Sequence, residues 1–322
     1  MKFAGIIAEY DPFHNGHAWQ LAQAKALGAE RVAVAMSCSL VQRGALPLLP
    51  EAVRTRSALT CGADLVFALP APCACAGAEA FARAGVALLA AAGCDGLVFG
   101  AETPDAALLM EAAELLDSDS YRAALKAQLA GSARSFAAAR QTAAAKLASD
   151  ERVAALLDKP NNNLAVEYCR AIRSLAPRME AYPLPRQGAN HGEALHSAHG
   201  QFASASALRK LWAEGGEDAV APYVPEAVFP LYQEAYAAGQ YTDFSAAGRC
   251  ELALLRSACR GKAPFADIRG VSEGLEHRLE AAVRTSTTYD ELLDALTTVR
   301  YPRARMRRLA MDVALGFTAD SL

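Results

Sequence analysis

Short apolar runs alternate with helix-forming segments over the first half of the chain, and this alternation constrains the fold more than any other feature. Helical stretches, such as the alanine-rich one from Ala78 to Ala92, separate the runs. Strands joined by helices form right-handed βαβ units and a parallel sheet that helices cover on both faces. The sequence therefore predicts an α/β fold with a Rossmann-like, doubly wound parallel sheet. The four runs with the composition of buried strands are Phe3 to Ala8, Arg31 to Met36, Asp64 to Leu69 and Gly96 to Phe99.

The later part of the chain changes character. Helix-forming residues fill residues 104–157 and resume from Leu164 to Leu175, and Met179 to Leu184 is a candidate fifth strand. In the last third the strand-like runs fade and the sequence is mainly helix-forming. We therefore predict a sheet domain over residues 1–215 and a C-terminal, mainly helical domain over residues 216–322.

Composition excludes several classes of protein. The chain has 322 residues, and 53% of them are hydrophobic, which is enough for a substantial core. Because no apolar run spans a bilayer and no secretory signal is evident, we expect a cytoplasmic protein with no membrane partner. The eight cysteines form no C-x-x-C pair, so we expect reduced and mostly buried thiols. A net charge of −3 means that any nucleic-acid site must be a local patch.

Two histidines lie three positions apart between the first predicted strand and the first predicted helix, in the segment that runs Glu9, Tyr10, Asp11, Pro12, Phe13, His14, Asn15, Gly16 and His17. A helix N-terminus offers free N–H groups and a partial positive charge that suit phosphate, and Gly16 lets the backbone approach a ligand closely. Two imidazoles there can donate hydrogen bonds to phosphate oxygens as charge builds up on them. Taken alone, the pattern also fits a loop with two solvated histidines.

A second candidate phosphate site lies at a serine-rich helix start, where Ser204 and Ser206 precede Arg209. Serine hydroxyls and free N–H groups can hold phosphate oxygens there, and Arg209 can reach the same group with its planar charged fork. Taken alone, the segment is more typical of an N-capped surface helix. Together with the two histidines it favours a shared phosphate site.

The H-x-G-H pattern resembles the signature of the nucleotidylyltransferase superfamily, whose members join a nucleoside triphosphate to an acceptor and release pyrophosphate. The segment from Ser204 to Arg209 resembles the second superfamily signature, with Ser206 at the usual threonine position. With six further segments, the chain resembles the bacterial tRNA(Met) cytidine acetate ligase family from Lys2 to about Arg308. The segments are MSCSLVQRG at residues 36–44, CGADLVFALP at 61–70, FGAE at 99–102, KPNNNLAVEY at 159–168, VSEGLE at 271–276 and RYPRAR at 300–305.

The resemblance implies an enzyme that activates acetate with ATP as acetyl-adenylate and acetylates N4 of the wobble cytidine of elongator tRNA(Met). It implies catalytic roles at the triphosphate for His14, His17 and Arg209. A divalent ion, Mg²⁺, is expected to bridge the phosphates with few protein ligands, and no protein metal site is expected. The implied ATP contacts are Ile7, Ala8, Glu9, Tyr10, Asp11, Pro12, Phe13, His14, Asn15, Gly16, His17, Gln20, Gly100, Asn161, Asn162, Arg186, Ser204, Ser206 and Arg209.

The chain departs from the family pattern near the expected acceptor side. Asp11 stands where the family usually has asparagine, and Cys38 stands where it usually has glycine. The segment from Ala45 to Glu51 replaces one that usually carries a glutamate and a lysine, and the segment from Asn190 to Glu193 replaces an aromatic-His-Asp sequence. These departures concern the recognition of acetate and tRNA more than the ATP site.

A basic run near the C-terminus is a candidate tRNA-binding surface; it comprises Arg300, Arg303, Arg305, Arg307 and Arg308. Arginines interleaved with Tyr301 suit phosphate contacts and base stacking on RNA. The alternative is a solvated helix start, which is the usual role of a run of charges.

Two other motifs suggest other chemistry. Residues 270–274 fit the G-x-S-x-G pattern of hydrolases, but residues 265–269 make a poor strand, so we predict a helix start. His191, His196 and His199 are a candidate metal cluster, but no cysteine or spaced carboxylate set completes tetrahedral ligation. Two alternative functions stay open, namely adenylylation of another small acceptor without RNA, and a nucleotide-binding module without catalysis.

Overall fold

The computed structural model describes residues 1–130, 136–186, 196–197, 200–261, 264–272 and 274–321. The five strands of its sheet are β1 (Phe3–Ala8), β2 (Arg31–Ser37), β3 (Leu65–Leu69), β4 (Gly96–Ala101) and β5 (Glu180–Pro185). All neighbouring pairs are parallel, and the spatial order is β3-β2-β1-β4-β5. The chain moves outward from β1 to β3 and then returns to the other side of β1, so the strand order reverses between β1 and β4. Loops at the carboxyl ends of these two strands form the crevice where such folds bind ligands.

Helices make up most of the remaining chain. They are α1 (Asn15–Ala26), α2 (Glu51–Thr60), α3 (Ala71–Ala74), α4 (Ala78–Ala91), α5 (Ala106–Asp117), α6 (Asp119–Ala130), α7 (Phe136–Leu147), α8 (Glu151–Leu156), α9 (Pro160–Leu175), α10 (Ala205–Gly215), α11 (Phe229–Ala237), α12 (Phe244–Ala258), α13 (Leu275–Thr285), α14 (Tyr289–Leu296) and α15 (Arg303–Leu315). Short 3₁₀ helices span Asp218–Tyr223 and Ala319–Ser321, and a small hairpin pairs His196–Ser197 with Gly200–Gln201. The predicted fold class is confirmed.

Each face of the sheet carries its own hydrophobic core. On one face α4, α5 and α9 contribute buried side chains such as Leu89, Leu109 and Val166. On the other face α1, α10 and α11 contribute Leu21 and Trp212 among others. Because successive side chains of a strand point to opposite faces, a parallel sheet covered on both sides needs the continuous apolar strands seen in the sequence.

The last four helices, α12 to α15, form a separate core with buried side chains such as Leu255, Leu279 and Met306. Helix α11 does not belong to this core, because Tyr232 and Ala235 pack with the sheet. The domain boundary at residue 215 stays a prediction, and the packing favours a later division, between α11 and α12.

The group of helices α12 to α15, called the helical part below, contacts the sheet domain at the turn after β2. Gly44 adopts φ +77°, and a Cβ atom at this position would lie 2.5 Å from the backbone nitrogen of Arg308. The Arg308 guanidinium donates through Nη1 to the Gln42 carbonyl at 3.3 Å. Only glycine therefore lets the first turns of α15 pack this closely on the loop after β2.

Three further expectations concern single features. None of the helices in the described ranges is long and apolar enough to cross a membrane. All eight cysteines are free, and Cys38, Cys75, Cys94 and Cys169 are buried.

In the G-x-S-x-G segment, Glu273 lies outside the described residues, and Gly274 is the N-cap of α13. Residues 264–272 form turns with one isolated bridge, so the predicted helix start is confirmed and a nucleophile elbow is excluded.

Candidate active site

A cavity of about 410 Å³ opens at the carboxyl edge of the sheet. Its wall comes from the loops after β1, β2, β4 and β5 and from the first turns of α1, α9 and α10. The structure therefore brings most of the predicted ATP contacts together. Those on the wall are Ile7, Ala8, Glu9, Tyr10, Asp11, His14, Gly16, His17, Gln20, Gly100, Asn161, Arg186, Ser204 and Ser206.

The two histidines form a capping box at the start of α1. His14 is the N-cap residue, and its Nδ1 accepts a hydrogen bond from the Gly16 backbone nitrogen at 3.0 Å. His17 returns the interaction, since its Nδ1 accepts from the His14 backbone nitrogen at 3.3 Å. The rings stack with 3.8 Å between their centroids. Because both Nδ1 atoms are acceptors, each neutral ring carries its proton on Nε2.

The surroundings of the histidines keep both rings neutral. Burial, together with the positive charges of Arg186 and Arg209, lowers the pKa of His14 to about 3. Burial also lowers the pKa of His17 well below its usual value, with contributions from His14 and Arg186. At neutral pH the pair therefore presents two N–H donors without a formal positive charge, which suits oxygens that gain negative charge during a reaction.

A prediction about acid stability follows. The pKa of His14 is lower in the folded protein than in the unfolded chain, so the unfolded chain binds more protons below pH 6.5. The free energy of unfolding should fall by up to about 1.4 kcal/mol per pH unit as the pH drops from 6.5 towards 3. His14→Asn should remove part of this slope, because asparagine caps helices without titrating. Urea unfolding at pH 7, 5.5 and 4.5 measures the effect.

The matched control is His277→Asn, which replaces a histidine whose side chain is 80% exposed. This variant should keep the wild-type dependence on pH. Identical slopes for His14→Asn and wild type would contradict the assignment of a depressed pKa to His14.

Arg209 is close to the histidines but not on the cavity wall. Its Nη1 donates to the backbone oxygen of Asp11 at 2.5 Å and to Oδ2 of the same residue at 3.1 Å. Asp11 Oδ1 accepts from the Leu48 backbone nitrogen at 2.6 Å, and its side chain is 1% exposed. The predicted catalytic arginine is thus held by a buried carboxylate, and its charge still influences His14.

Glu102 supports another part of the cavity wall, at Asn161. Its Oε2 accepts from the Asn162 backbone nitrogen at 2.6 Å, and its Oε1 accepts from the Asn161 side chain at 2.6 Å. Asn161 Oδ1 in turn accepts from Arg186 Nη1 at 2.6 Å. Glu102, from the end of β4, therefore caps α9, whereas the N-cap residue Lys159 makes no side-chain cap.

Several predicted ATP contacts lie behind the wall of the cavity. Phe13 is fully buried and its carbonyl accepts from the Tyr232 hydroxyl at 2.6 Å. Asn15 donates to the Gln201 carbonyl at 3.0 Å, and Asn162 binds the backbone and hydroxyl of Thr103. These side chains hold the loops in place. Pro12 is also absent from the wall among the described residues, and direct roles for Pro12, Phe13, Asn15 and Asn162 stay predictions.

The comparisons with known proteins agree with this geometry. The family model HIGH Nucleotidyl Transferase matches residues 1–322. The tRNA(Met) cytidine acetate ligase of Syntrophotalea carbinolica is 36% identical over 99% of this chain and 75% of its own length. The protein of the same name from Acetivibrio thermocellus is 33% identical over 100% of this chain and 79% of its own length. The chain belongs to the tRNA(Met) cytidine acetate ligase family.

Solved structures of this family share the fold. Thermotoga maritima TmcAL bound with alpha-thio ATP has a TM-score of 0.89 at 29% identity, and the match covers 99% of this chain and 76% of that one. The apo form of TmcAL has a TM-score of 0.91 at 30% identity, and the match covers 99% of this chain and 77% of the TmcAL chain. The resemblance predicted from the sequence motifs is confirmed.

The sequence analysis missed two polar residues of the cavity wall. Gln42 and Arg43 follow β2 and lie on the cavity wall. Glu9 fixes them, because its Oε1 accepts from the Gln42 backbone nitrogen at 2.6 Å and its Oε2 pairs with Arg43 Nη2 at 3.2 Å. Their position in the loop that follows a central parallel strand was the signal that could have found them. The apolar part of the wall was missed too; it comprises Trp19, Phe81, Phe99, Leu164, Tyr168 and Leu184.

Two of the positions that depart from the family pattern are Cys38 and the segment from Asn190 to Glu193. Cys38 is buried and contacts the Met36 carbonyl through its sulfur at 3.3 Å. Burial raises the pKa of this thiol to about 11, so it is not a thiolate at neutral pH. The segment from Asn190 to Glu193 lies outside the described residues. So do His191, His199 and the side chain of His196, and the candidate metal cluster stays untested.

The residues of the cavity do not form a metal site of their own. Both carboxylates on the wall, Glu9 and Asp11, already accept hydrogen bonds from backbone nitrogens and arginines. Among the residues that the structure describes, no group of three or more histidines, cysteines or acids could hold a metal ion. The donor set therefore does not fit an ion bound by the protein alone.

Some arginines of the basic run already have partners within the protein, so the run is only partly available to bind RNA. Arg303 pairs with Asp290 at 2.6 Å and also with Asp294. The Arg305 guanidinium lies 4.9 Å from the centre of the Tyr301 ring. Arg305 and Arg308 line a second cavity of about 270 Å³ at the junction of the two parts, together with Arg269 and Asp312. Arg269 pairs with Asp312, so two further arginines leave this cavity positively charged.

Proposed function

We propose that the chain activates acetate with ATP as acetyl-adenylate and transfers the acetyl group to N4 of the wobble cytidine of elongator tRNA(Met). The observation that carries this proposal is the pair of neutral histidines, His14 and His17, at the start of α1 and on the cavity wall. Relatives named tRNA(Met) cytidine acetate ligase and the TmcAL structure with bound alpha-thio ATP support it. A cytoplasmic enzyme follows, because its substrate is a tRNA.

The triphosphate is proposed to lie at the N-termini of α1 and α10. There the Nε2–H groups of His14 and His17 donate to oxygens of the α-phosphate, and Ser204 and Ser206 contact the remaining phosphates. The adenosine then extends towards Gly100 and the Asn161–Arg186 pair. This placement uses the residues that the structure brings to one cavity.

The first step needs positioning and charge stabilisation more than covalent help. A carboxylate oxygen of acetate attacks the α-phosphorus, the bond to the bridging oxygen breaks, and pyrophosphate leaves with the electron pair. The histidine donors stabilise the charge that develops on the phosphoryl oxygens. In the second step the cytidine amine attacks the acetyl carbonyl carbon, the bond from this carbon to the phosphate oxygen breaks, and AMP leaves with the electron pair. The amine nitrogen loses one proton to solvent.

Mg²⁺ is proposed to enter with the nucleotide. This ion usually keeps several waters and binds substrate phosphates with few protein ligands. That habit agrees with a cavity whose carboxylates are already engaged by arginines and backbone nitrogens.

The test is incubation with radiolabelled acetate, ATP and total bacterial tRNA, followed by nucleoside analysis. We expect labelled N4-acetylcytidine in elongator tRNA(Met) and acetate-dependent release of pyrophosphate. Acetate-independent activity with no label in tRNA would favour adenylylation of another small acceptor. ATP binding without pyrophosphate exchange would favour a module that lacks catalysis.

The basic run is proposed to contact the tRNA backbone through Arg305 and Arg307. Replacing both with glutamate should weaken tRNA binding by about tenfold or more and lower its salt dependence by about two counterions. ATP affinity should stay unchanged. Filter binding at several salt concentrations measures both effects. Arg284→Glu, an exposed arginine of α13 paired with Glu280, is the matched control, and equal losses in the two variants would refute a specific contact.

A further inference from the structure

We propose that Arg43 binds the carboxylate of the acetyl donor and orients it for attack on the α-phosphorus. The inference rests on the proposed function and names the acceptor subsite of the same cavity. It comes from the place of Arg43 in the sheet, the hydrogen bonds of its guanidinium and the occupation of the neighbouring arginines.

The strand order places Arg43 and the residues proposed to contact the nucleoside on opposite sides of β1. Gly100 lies in the last part of β4, and Arg186 follows β5, so both lie on one side of β1. Arg43 follows β2, which pairs with the other edge of β1. The histidine loop follows β1 itself and stands between the two sides. An acceptor that reaches the phosphate from the side opposite the adenosine therefore meets Arg43.

The guanidinium of Arg43 has donors to spare. Its side chain is 32% exposed and lies on the cavity wall. Its ion pair is with Glu9, through Nη2 at 3.2 Å. Its Nε is buried and has no hydrogen-bond partner within the described part of the chain. An unpaired buried donor is unfavourable, and a small turn of the side chain towards a bound carboxylate would satisfy it.

Neighbouring arginines are already occupied. Arg54 is fully buried and donates to the carbonyls of Leu49, Glu9, Ser37 and Cys38, so it ties the loops after β1 and β2 together. Arg209 is held by Asp11. Arg43 keeps most of its planar fork available, and that fork matches the two oxygens of a carboxylate.

Glu9 sets the position of this fork. Its two oxygens are used by the Gln42 backbone nitrogen and by Arg43, so it fixes the loop instead of meeting the substrate. The negative charge of Glu9 also disfavours a triphosphate next to it, whereas a singly charged acetate is tolerated. This asymmetry separates the acceptor subsite from the phosphate subsite.

The experiment measures acetate-dependent pyrophosphate release without tRNA, in wild type, Arg43→Gln and Arg43→Lys. We expect the KM for acetate to rise about 30-fold or more in Arg43→Gln, with ATP affinity within about twofold of wild type. Arg43→Lys should recover part of the loss, because it keeps the charge and loses the fork. Arg56→Gln, which removes an exposed arginine of α2, should behave as wild type.

The outcomes are separable. An unchanged KM for acetate in Arg43→Gln, with an active wild type, overturns this proposal and leaves the proposed function standing. An ATP affinity that falls as much as the acetate affinity also overturns it, because Arg43 then contacts the triphosphate. A wild type without acetate-dependent pyrophosphate release removes the proposed function itself.

Discussion

Replacing His14 with asparagine should lower the rate of acetyl-adenylate formation about 10²- to 10³-fold, the usual effect of removing one donor from a site of developing charge. Asparagine keeps the cap of α1, because its side-chain oxygen can accept from the Gly16 nitrogen in place of Nδ1. It does not reach the position of Nε2. The loss therefore reports the missing phosphate donor and not a frayed helix. Acetate-dependent pyrophosphate release measures the rate.

The complementary variant is His14→Gln. Glutamine has the reach to place an N–H group near the Nε2 position, but it is a weaker cap than asparagine. It should recover part of the rate at lower stability, so rate and stability change in opposite directions in the two variants. A rate that follows stability in both variants would show that His14 only caps the helix. Because both rings stay neutral, the wild-type rate should show no histidine titration between pH 5.5 and 8.5.

The sheet was predictable from local sequence because each strand is a short apolar run closed by glycine, proline or polar residues. The ends of the strands were harder to predict. Glycine at residue 100 predicted the end of β4, yet the strand continues to Ala101, since Gly100 and Ala101 pair with Leu184 and Pro185 of β5. Such pairing depends on a strand that lies far along the chain, so no local pattern reveals it.

The division into domains shows the same limit. Strand-like runs fade after α10, and this change of composition suggested a boundary at residue 215. The apolar face of α11 nevertheless packs on the sheet, where Tyr232 reaches the histidine loop. Amphipathic periodicity predicts that a helix buries one face, but it does not identify the surface that covers that face.

The candidate site was also predictable only where its residues are close together in the sequence. His14 and His17 are close in sequence, and their spacing is that of an N-cap residue and the third residue of a helix. The pattern was therefore readable, although its capping role was not. The partners of the charged residues were not readable, because they come from distant segments. Arg303 was expected to meet RNA but lies against two acids of α14.

The largest expected effect on stability concerns the pair of Asp11 and Arg209. Replacing Arg209 with methionine should lower the free energy of unfolding by about 3 kcal/mol, because it leaves a carboxylate that is 1% exposed without its cation. Asp11→Asn in the same protein should restore most of this loss. Asparagine carries no charge, and its oxygen can still accept from the Leu48 nitrogen. Urea unfolding of the two single variants, the double variant and wild type measures the coupling.

Activity should not follow stability through this cycle. The family resemblance implies a catalytic role for Arg209, and both Arg209→Met and the double variant lack its guanidinium. Pyrophosphate release is therefore expected to be low in Arg209→Met and to stay as low in the double variant. Asp11→Asn alone should stay active, because Arg209 keeps the backbone oxygen of residue 11 as an acceptor and is freed from the carboxylate. Recovery of both stability and activity in the double variant would mean that Arg209 only neutralises a buried charge. Recovery of stability alone would support the proposed role of Arg209 at the triphosphate in addition to its structural role.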